Sequence, residues 1–267
     1  MTFESNMAVD GNELGEELAR LYLARQPSPP GWRERLTGLE MAYDAQDSMV
    51  QAFATSGQGT LAGYKVGMTA KSMQQLCGID TPIGGKMLSA NMMRSGAQLR
   101  RADYFHLGIE SELAFVLSRD IDAPLGASDE HVLEYIATAH ASFEVVDDRN
   151  ADFSQLAAAS LVAENIWNVG AVLGEGVPPS QLGPIDSLAG RYSENGVEIA
   201  AGMTSDVLGN PLHVMRWLAD FLLERGSMLR KGEIIMTGSI TALHFPAGKT
   251  NCRFEIDKLP PVGLRIL

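Results

Sequence analysis

The stretch Gly108–Leu117, GIESELAFVL, decides how the chain is read. Its mixture of β-branched, aromatic and alternating polar residues reads as a β-strand, in which successive side chains point to opposite faces. Glu110 and Glu112 then share one face, while Ile109, Leu113 and Phe115 share the other. Two carboxylates side by side repel. Either that face lies open to water, as one face of an antiparallel sheet often does, or something cationic sits between them.

The same device recurs in ASFEVVDDR, residues 141–149. On a strand Ser142, Glu144 and Val146 point one way and Phe143 and Val145 the other, again setting a carboxylate on an otherwise apolar element. Glu110, Glu112 and Glu144 together form a donor set of oxygen alone. With no His or Cys beside it, such a set suits a hard cation, Mg²⁺ or Mn²⁺, over zinc or copper. A fourth candidate is Lys65 in GYKVGMT, residues 63–69. A lysine among apolar strand residues and next to a glycine can hold a substrate carboxylate or relay a proton. It can equally be an edge-strand lysine that discourages aggregation.

Around these stretches the chain changes texture once. Leu14, Leu18, Leu21 and Leu23 recur at helical spacing until QPSPPG, residues 26–31, ends the segment with three prolines. A second helical stretch, residues 36–54, carries one apolar stripe through Leu39, Tyr43, Met49 and Val50, and TSGQG breaks it. Residues 1–58 are therefore expected to form an N-terminal helical cap. Residues 59–267 turn to short apolar runs bounded by glycine, proline and polar residues, the mark of a β-rich domain. Asn195-Gly196 between strand-like flanks predicts a tight type I′ hairpin. Helices are expected over 128–140 and over 210–226, the latter with Asn210 as N-cap, Pro211 at the first helical position and Gly226 as terminator. Strands neighbour strands too often for an alternating dinucleotide-binding pattern. The expected fold class is α+β, built on a rolled or barrel-like mixed sheet.

Bulk composition narrows the function classes. With 33 acidic against 21 basic residues, a net charge of −12 repels nucleic acid and anionic membrane surfaces. No apolar run approaches the ~18 residues of a membrane span. The start, MTFESNMAVDGNELGEEL, lacks the basic and apolar regions of a signal peptide, which points to the cytoplasm. Cys77 and Cys252 suggest neither a disulfide framework nor a zinc site. AGKT at 247–250 imitates the end of a phosphate-binding loop, but the required earlier glycine is Leu243. None of the five histidines sits in an H-E-x-x-H pattern or beside a G-x-S-x-G elbow. Trp32, Trp167 and Trp217 read first as core or interface residues.

Five blocks taken in order, GYKVGMT, GIESELAFVL, SFEVVDDR, LGNPLHVMRWLADFL and LRKGEIIMTGS, resemble the hydratase/decarboxylase branch of the fumarylacetoacetate hydrolase superfamily. Within it the chain is similar to the 2-keto-4-pentenoate hydratases and 4-oxalocrotonate decarboxylases of aromatic-compound degradation. The likeness runs from about Leu61 to the C-terminus. It implies the family's β-roll fold, a Mg²⁺-dependent or Mn²⁺-dependent lyase acting on a 2-oxo acid, and a homo-oligomer. Carried over by position, it makes Glu110, Glu112 and Glu144 the metal carboxylates and Lys65 the active-site lysine. Thr237, Gly238 and Ser239 become a turn at the substrate's carboxylate end, and Asn165 matches the asparagine of the family's VADN.

Three departures stand out against this resemblance. The hydratases' QPDFG is TPIGG here, residues 81–85, with Ile83 replacing an aspartate linked to hydration, and the decarboxylases carry TPI at that place. VADNAS becomes VAENIW, which brings in Trp167, and VVDSR becomes VVDDR, which brings in Asp148. Hydration of a 2-oxo-4-alkenoate, decarboxylation of a related dicarboxylate, and a non-catalytic relative that binds a small acid all remain open on the sequence. Carbon–carbon hydrolysis is weaker, because no histidine is placed to activate water.

Overall fold

A computed structural model describes residues 10–267; residues 1–9, the first part of the acidic N-terminal stretch, lie outside the described residues. Six helices and twelve strands are assigned among them. The helices are α1 (Gly11–Leu23), α2 (Leu39–Phe53), α3 (Lys71–Leu76), α4 (Asp129–Leu133), α5 (Ala158–Ala163) and α6 (Pro211–Glu224). The strands are β1 (Leu61–Gly67), β2 (Ile83–Leu88), β3 (Met92–Arg94), β4 (Ala97–Leu99), β5 (Leu107–Leu117) and β6 (Ile136–Asp147), then β7 (Asn168–Leu173), β8 (Ala189–Glu194), β9 (Val197–Met203), β10 (Ile234–Ser239), β11 (Thr250–Ile256) and β12 (Val262–Ile266). No helix among the described residues is long and apolar enough to cross a membrane.

The strands form two open mixed sheets, in the orders β2-β1-β10-β5-β6-β7-β3 and β4-β12-β11-β8-β9. The expected barrel is not closed. The chain leaves the first sheet after β3 and enters the second at β4 across Ser95-Gly96, and with three residues each these strands carry too short a ladder to join the edges. The sheets meet through the apolar face foreseen for GIESELAFVL. Ile109, Leu113, Phe115, Phe143 and Val145 are fully buried, and the Phe143 ring lies 5.9 Å from Tyr192 on β8 and 6.1 Å from Phe254 on β11. Such aromatic contacts bury large area in favourable tilted geometry.

The two N-terminal helices and the hairpin follow the sequence closely. Asp10 caps α1 and Asn210 caps α6, each side chain accepting a free N–H of the first turn. Asn195 (φ 50°) and Gly196 (φ 84°) make the left-handed pair that a type I′ turn requires. Helix α2 docks onto the sheet by burying Gln46, whose amide donates to the carbonyls of Gly84 (2.9 Å) and Val162 (3.0 Å). Leu14, Leu18, Met49 and Phe53 then share one apolar cluster with Leu161, Val162, Ile166 and Trp167.

One expected element is wrong. The helix placed over 128–140 stops at Leu133, and Ile136–His140 extends β6 instead. Pairing along the whole of β5, from Leu107↔Asp147 to Leu117↔Ile136, supplies a ladder that overrides the local helical preference of EYIATAH. Strand β7 begins at Asn168, and Asn165–Trp167 just before it form a turn.

Candidate active site

The opposite face of the β5–β6 pair carries the charges. Glu110 stands directly across from Glu144 in the antiparallel register, and Glu112 is two residues along on the same face. Ligand oxygens of the three lie within 4.8 Å of one another. Glu112 and Glu144 are fully buried, so this is not the solvated sheet face that the sequence also allowed. Lys65 arrives from β1, a strand hydrogen-bonded on both sides, to β2 and β10, and the residue is 2% exposed. The edge-strand alternative is thereby excluded. Its Nζ lies 2.9 Å from Glu144 Oε1 and 3.8 Å from Glu110 Oε2. The side chain crosses Gly85, where an added Cβ would come within 3.0 Å of Lys65 Cγ.

Burial and like charge set the protonation of the group. Desolvation pushes Glu144 up to about 7, with Lys65 opposing and Glu110 adding to it. Glu112 is raised well above the ordinary carboxyl range by burial first, then by Glu144 and Glu110. Burial alone would lower the Lys65 ammonium, but Glu144, Glu110 and Glu112 together reverse that and raise it. Lys65 is therefore held as a cation. Three carboxylates and one ammonium leave a formal surplus of two negative charges in a buried place.

Two oxygens there have no hydrogen-bond partner among the described residues. Glu112 Oε2 accepts the Gly238 N–H at 2.8 Å and Glu144 Oε1 accepts the Asn168 side-chain amide at 2.9 Å, while Glu112 Oε1 and Glu144 Oε2 are buried and without a partner. Buried carboxylate oxygens are normally satisfied, and an oxygen-only set short of two positive charges fits one hard divalent ion. The residues present thus suit such a cation.

The turn Thr237–Ser239 shapes the rim. The β5–β10 register slips between Met236 and Ser239, a bulge made possible by Gly238 at φ 108°. A Cβ on Gly238 would lie 2.5 Å from Thr69 Oγ1, so only glycine lets this backbone close over Glu112. The Thr237 hydroxyl is committed to the Leu113 carbonyl at 2.8 Å, and Gly238 and Ser239 are the two members of the turn that line the adjoining cavity.

Asn165 is placed differently from the substrate contact that the resemblance implies. Its amide spans the Lys86 backbone, accepting the N–H and donating to the carbonyl at 2.8 Å each, and it does not line the cavity. It opens three consecutive left-handed residues, Asn165 (φ 53°), Ile166 (φ 50°) and Trp167 (φ 59°). Asparagine tolerates that region, whereas a β-branched residue there is a genuine outlier, and each such residue costs about 1–3 kcal/mol. The turn aims the Ile166 carbonyl at Lys65 Nζ, 3.4 Å away, and puts the Ile166 and Trp167 side chains on the cavity wall. Sequence reading missed Asn168, whose bond to Glu144 joins β7 to β6, because no local pattern marks a contact between neighbouring strands.

The cavity encloses about 650 Å³. Lys65, Glu110, Gly238 and Ser239 form its polar end, and Glu112 and Glu144 sit sealed just behind Glu110. An enclosed site with an apolar body and a few convergent polar groups is the ordinary form of a small-molecule site.

Comparison with known proteins agrees with this architecture. Residues 66–266 match the fumarylacetoacetate (FAA) hydrolase C-terminal family. The chain is 32% identical over 208 residues to the TodF product hydratase of Pseudomonas putida, covering 76% of this chain and 75% of that protein. It is 30% identical over 202 residues to a 2-keto-4-pentenoate hydratase of Burkholderia vietnamiensis, covering 75% of each. Among solved structures, the 4-oxalocrotonate decarboxylase from Pseudomonas putida G7 complexed with magnesium and adipate superposes with a TM-score of 0.88 at 25% identity, covering 96% of this chain and 97% of that one.

Proposed function

Because the chain belongs to the fumarylacetoacetate hydrolase C-terminal family, we propose that it is a divalent-cation-dependent lyase that hydrates a 2-hydroxydienoate through its 2-oxo-alkenoate form. The observation that carries this is the pair of unpartnered buried oxygens, Glu112 Oε1 and Glu144 Oε2, beside Glu110 and at the polar end of a cavity. Glu110, Glu112 and Glu144 would hold the ion, Mg²⁺ or Mn²⁺. When bound it supplies Lewis-acid polarisation of a carbonyl oxygen, worth several kcal/mol in the transition state.

The chain's own groups do the rest. Three carboxylates and a divalent charge sum to −1, and Lys65 brings the site to neutrality, so that a substrate carboxylate can enter. Its ammonium, fixed by Glu144 and the Ile166 carbonyl, is placed to orient that carboxylate and to pass a proton. Ketonisation of the dienol delivers a proton to its terminal carbon. Water then adds across the conjugated double bond, hydroxyl to C4 and proton to C3, giving a 4-hydroxy-2-oxo acid.

A second reading, decarboxylation of a 4-oxalocrotonate-like dicarboxylate, has two observations in its favour: the TPI at residues 81–83 and the near-complete superposition on the decarboxylase named above. Both chemistries place electron density on the same 2-oxo oxygen. The setting proposed for either is a cytoplasmic homo-oligomer, with residues 1–58 as a cap over the catalytic domain of residues 59–267.

Incubating protein stripped with EDTA and then reloaded with Mg²⁺ with 2-hydroxypenta-2,4-dienoate tests this. Loss of the dienol absorbance with appearance of 4-hydroxy-2-oxopentanoate, only in the reloaded sample, is the expected result. CO₂ release from the dicarboxylate without hydration would favour the second reading, and an unchanged dienoate and dicarboxylate would end both.

A further inference from the structure

Beyond its polar end, the cavity has walls of a different kind. Met73, Leu76, Phe153, Leu156, Trp167 and Leu243 line it. Phe153 meets the Trp167 ring edge-on with centroids 5.5 Å apart, and the Trp167 indole N–H is already bonded to Glu164 at 3.1 Å, so the aromatic wall offers no free donor there. Leu76 and Phe153 are 65% and 47% exposed, although both are large and apolar. Exposed apolar side chains gathered on the lip of a cavity mark a place where something apolar is received.

The charges along the wall are as informative. Among the described lining residues Lys65 is the single cation, and it is paired with Glu144 and Glu110. The remaining charged lining groups, Glu110 and Asp206, are acids. A substrate with a second carboxylate at its far end would carry that charge into apolar walls with no cation to receive it and with Asp206 to repel it. A five-carbon acid would leave most of the volume unused, because ~300–1,000 Å³ is the range of cavities that hold drug-sized ligands.

We propose that the site selects 2-oxo acids whose far end is an uncharged, bulky apolar group, alkyl or aryl, seated against Trp167 and Phe153, and that it discriminates against dicarboxylates. This rests on the reading that a 2-oxo acid head binds beside Glu110 and Lys65. Leu76 and Phe153 set the length of tail that is accepted, and Asp206 sets the charge that is refused.

The test uses the full-length protein loaded with Mg²⁺ and two readouts. In turnover, kcat/KM is compared for 2-hydroxydienoates with hydrogen, propyl and phenyl at C5 and for one ending in carboxylate. In binding, calorimetry compares the unreactive 2-oxooctanoate with 2-oxoadipate. The expected gain is roughly fourfold for each buried methylene, with the carboxylate-ended compounds at least 100-fold behind the apolar ones. Phe153→Ala should reduce the preference for phenyl over hydrogen about tenfold. Leu76→Arg, at an exposed position, should recover part of the binding of 2-oxoadipate. Apolar preference in binding without turnover of any dienoate would uphold the tail assignment and sink the proposed reaction. Turnover with equal or better use of the carboxylate-ended substrate would uphold the reaction and overturn the tail assignment. Absence of both turnover and 2-oxo acid binding would overturn both.

Discussion

Two charge clusters flank the C-terminal end of β6, which supplies Glu144 to one and Asp147 to the other, and they differ in one respect. The first is Lys65 with Glu110, Glu112 and Glu144; the second is Arg149 with Asp147, Asp148 and Glu164. Each gathers three acids, but in the second the Arg149 guanidinium pairs with Glu164 and His106 meets Asp148. In the second, every carboxylate oxygen is met by a protein donor. Asp147 accepts the N–H groups of Phe105, His106 and Arg149 and the Tyr22 hydroxyl, and Asp148 accepts from His106 Nδ1 and the Asn150 N–H. Glu164 binds Ser28, Arg149 and the Trp167 indole. The unpartnered atoms there, Nε and Nη2, are on the cation, which stacks 4.5 Å over the Tyr22 ring. In the first cluster the unpartnered atoms are acid oxygens. In the second set the acids are satisfied and tie α1 to the sheet, whereas the first leaves two acid oxygens that could take a positive ion.

Substitutions that remove one acid from each cluster would break this comparison most directly. Glu112→Gln is expected to abolish measurable Mg²⁺ binding and to lower kcat/KM about 10³-fold, the equivalent of roughly 4 kcal/mol. Metal-free stability should hold or rise, because the amide is the neutral isostere of the protonated carboxyl that burial already favours at this position. Should that variant melt early and still bind Mg²⁺, the first cluster is structural after all. Lys65→Ala is expected to lower turnover by about 10²–10⁴-fold while calorimetry still registers Mg²⁺, and undiminished turnover would remove the lysine from the mechanism. Glu164→Gln should behave in the opposite way, losing about 3–5 kcal/mol of stability because it strands Arg149, with Mg²⁺ affinity retained below the melting transition.

Acidity sharpens the same contrast more gently. Folded Glu144 titrates at about 7 and Glu112 is also raised, whereas an unfolded glutamate titrates near ~4.3. Between those values the folded, metal-free protein holds more protons than the unfolded chain, so its stability is full below about pH 4.3 and is lost as pH rises toward about 7. Mg²⁺ should cancel this loss, and its affinity should climb over the same interval as the two carboxyls release protons. Denaturant midpoints measured with and without Mg²⁺ from pH 5 to 8 would reveal it. Parallel curves would mean that the carboxyls are not its ligands.

Sequence made the first cluster partly readable and the second hardly at all. The alternation in GIESELAFVL and SFEVVDDR put the three glutamates on a common kind of face, because side-chain direction in a strand has a period of two. Their meeting depended on the Glu110↔Glu144 register, which the eleven-residue ladder of β5 with β6 settles and no local signal announces. The same ladder explains why EYIATAH is strand and not helix. The role of Asp148 was out of reach, since its partner His106 lies 42 residues away. Asn165 matched a family position, yet its amide grips a backbone at Lys86, and only folded coordinates show which way an amide faces.

The left-handed run Asn165–Ile166–Trp167 has an evolutionary consequence. One end of it steadies the ammonium and the other supplies the aromatic wall, so changing what the enzyme accepts at position 167 also disturbs the lever that aims Lys65. New substrate ranges in this lineage should therefore be reached more readily through Leu76 and Phe153, on separate segments, than through the tryptophan that shares a hinge with the chemistry.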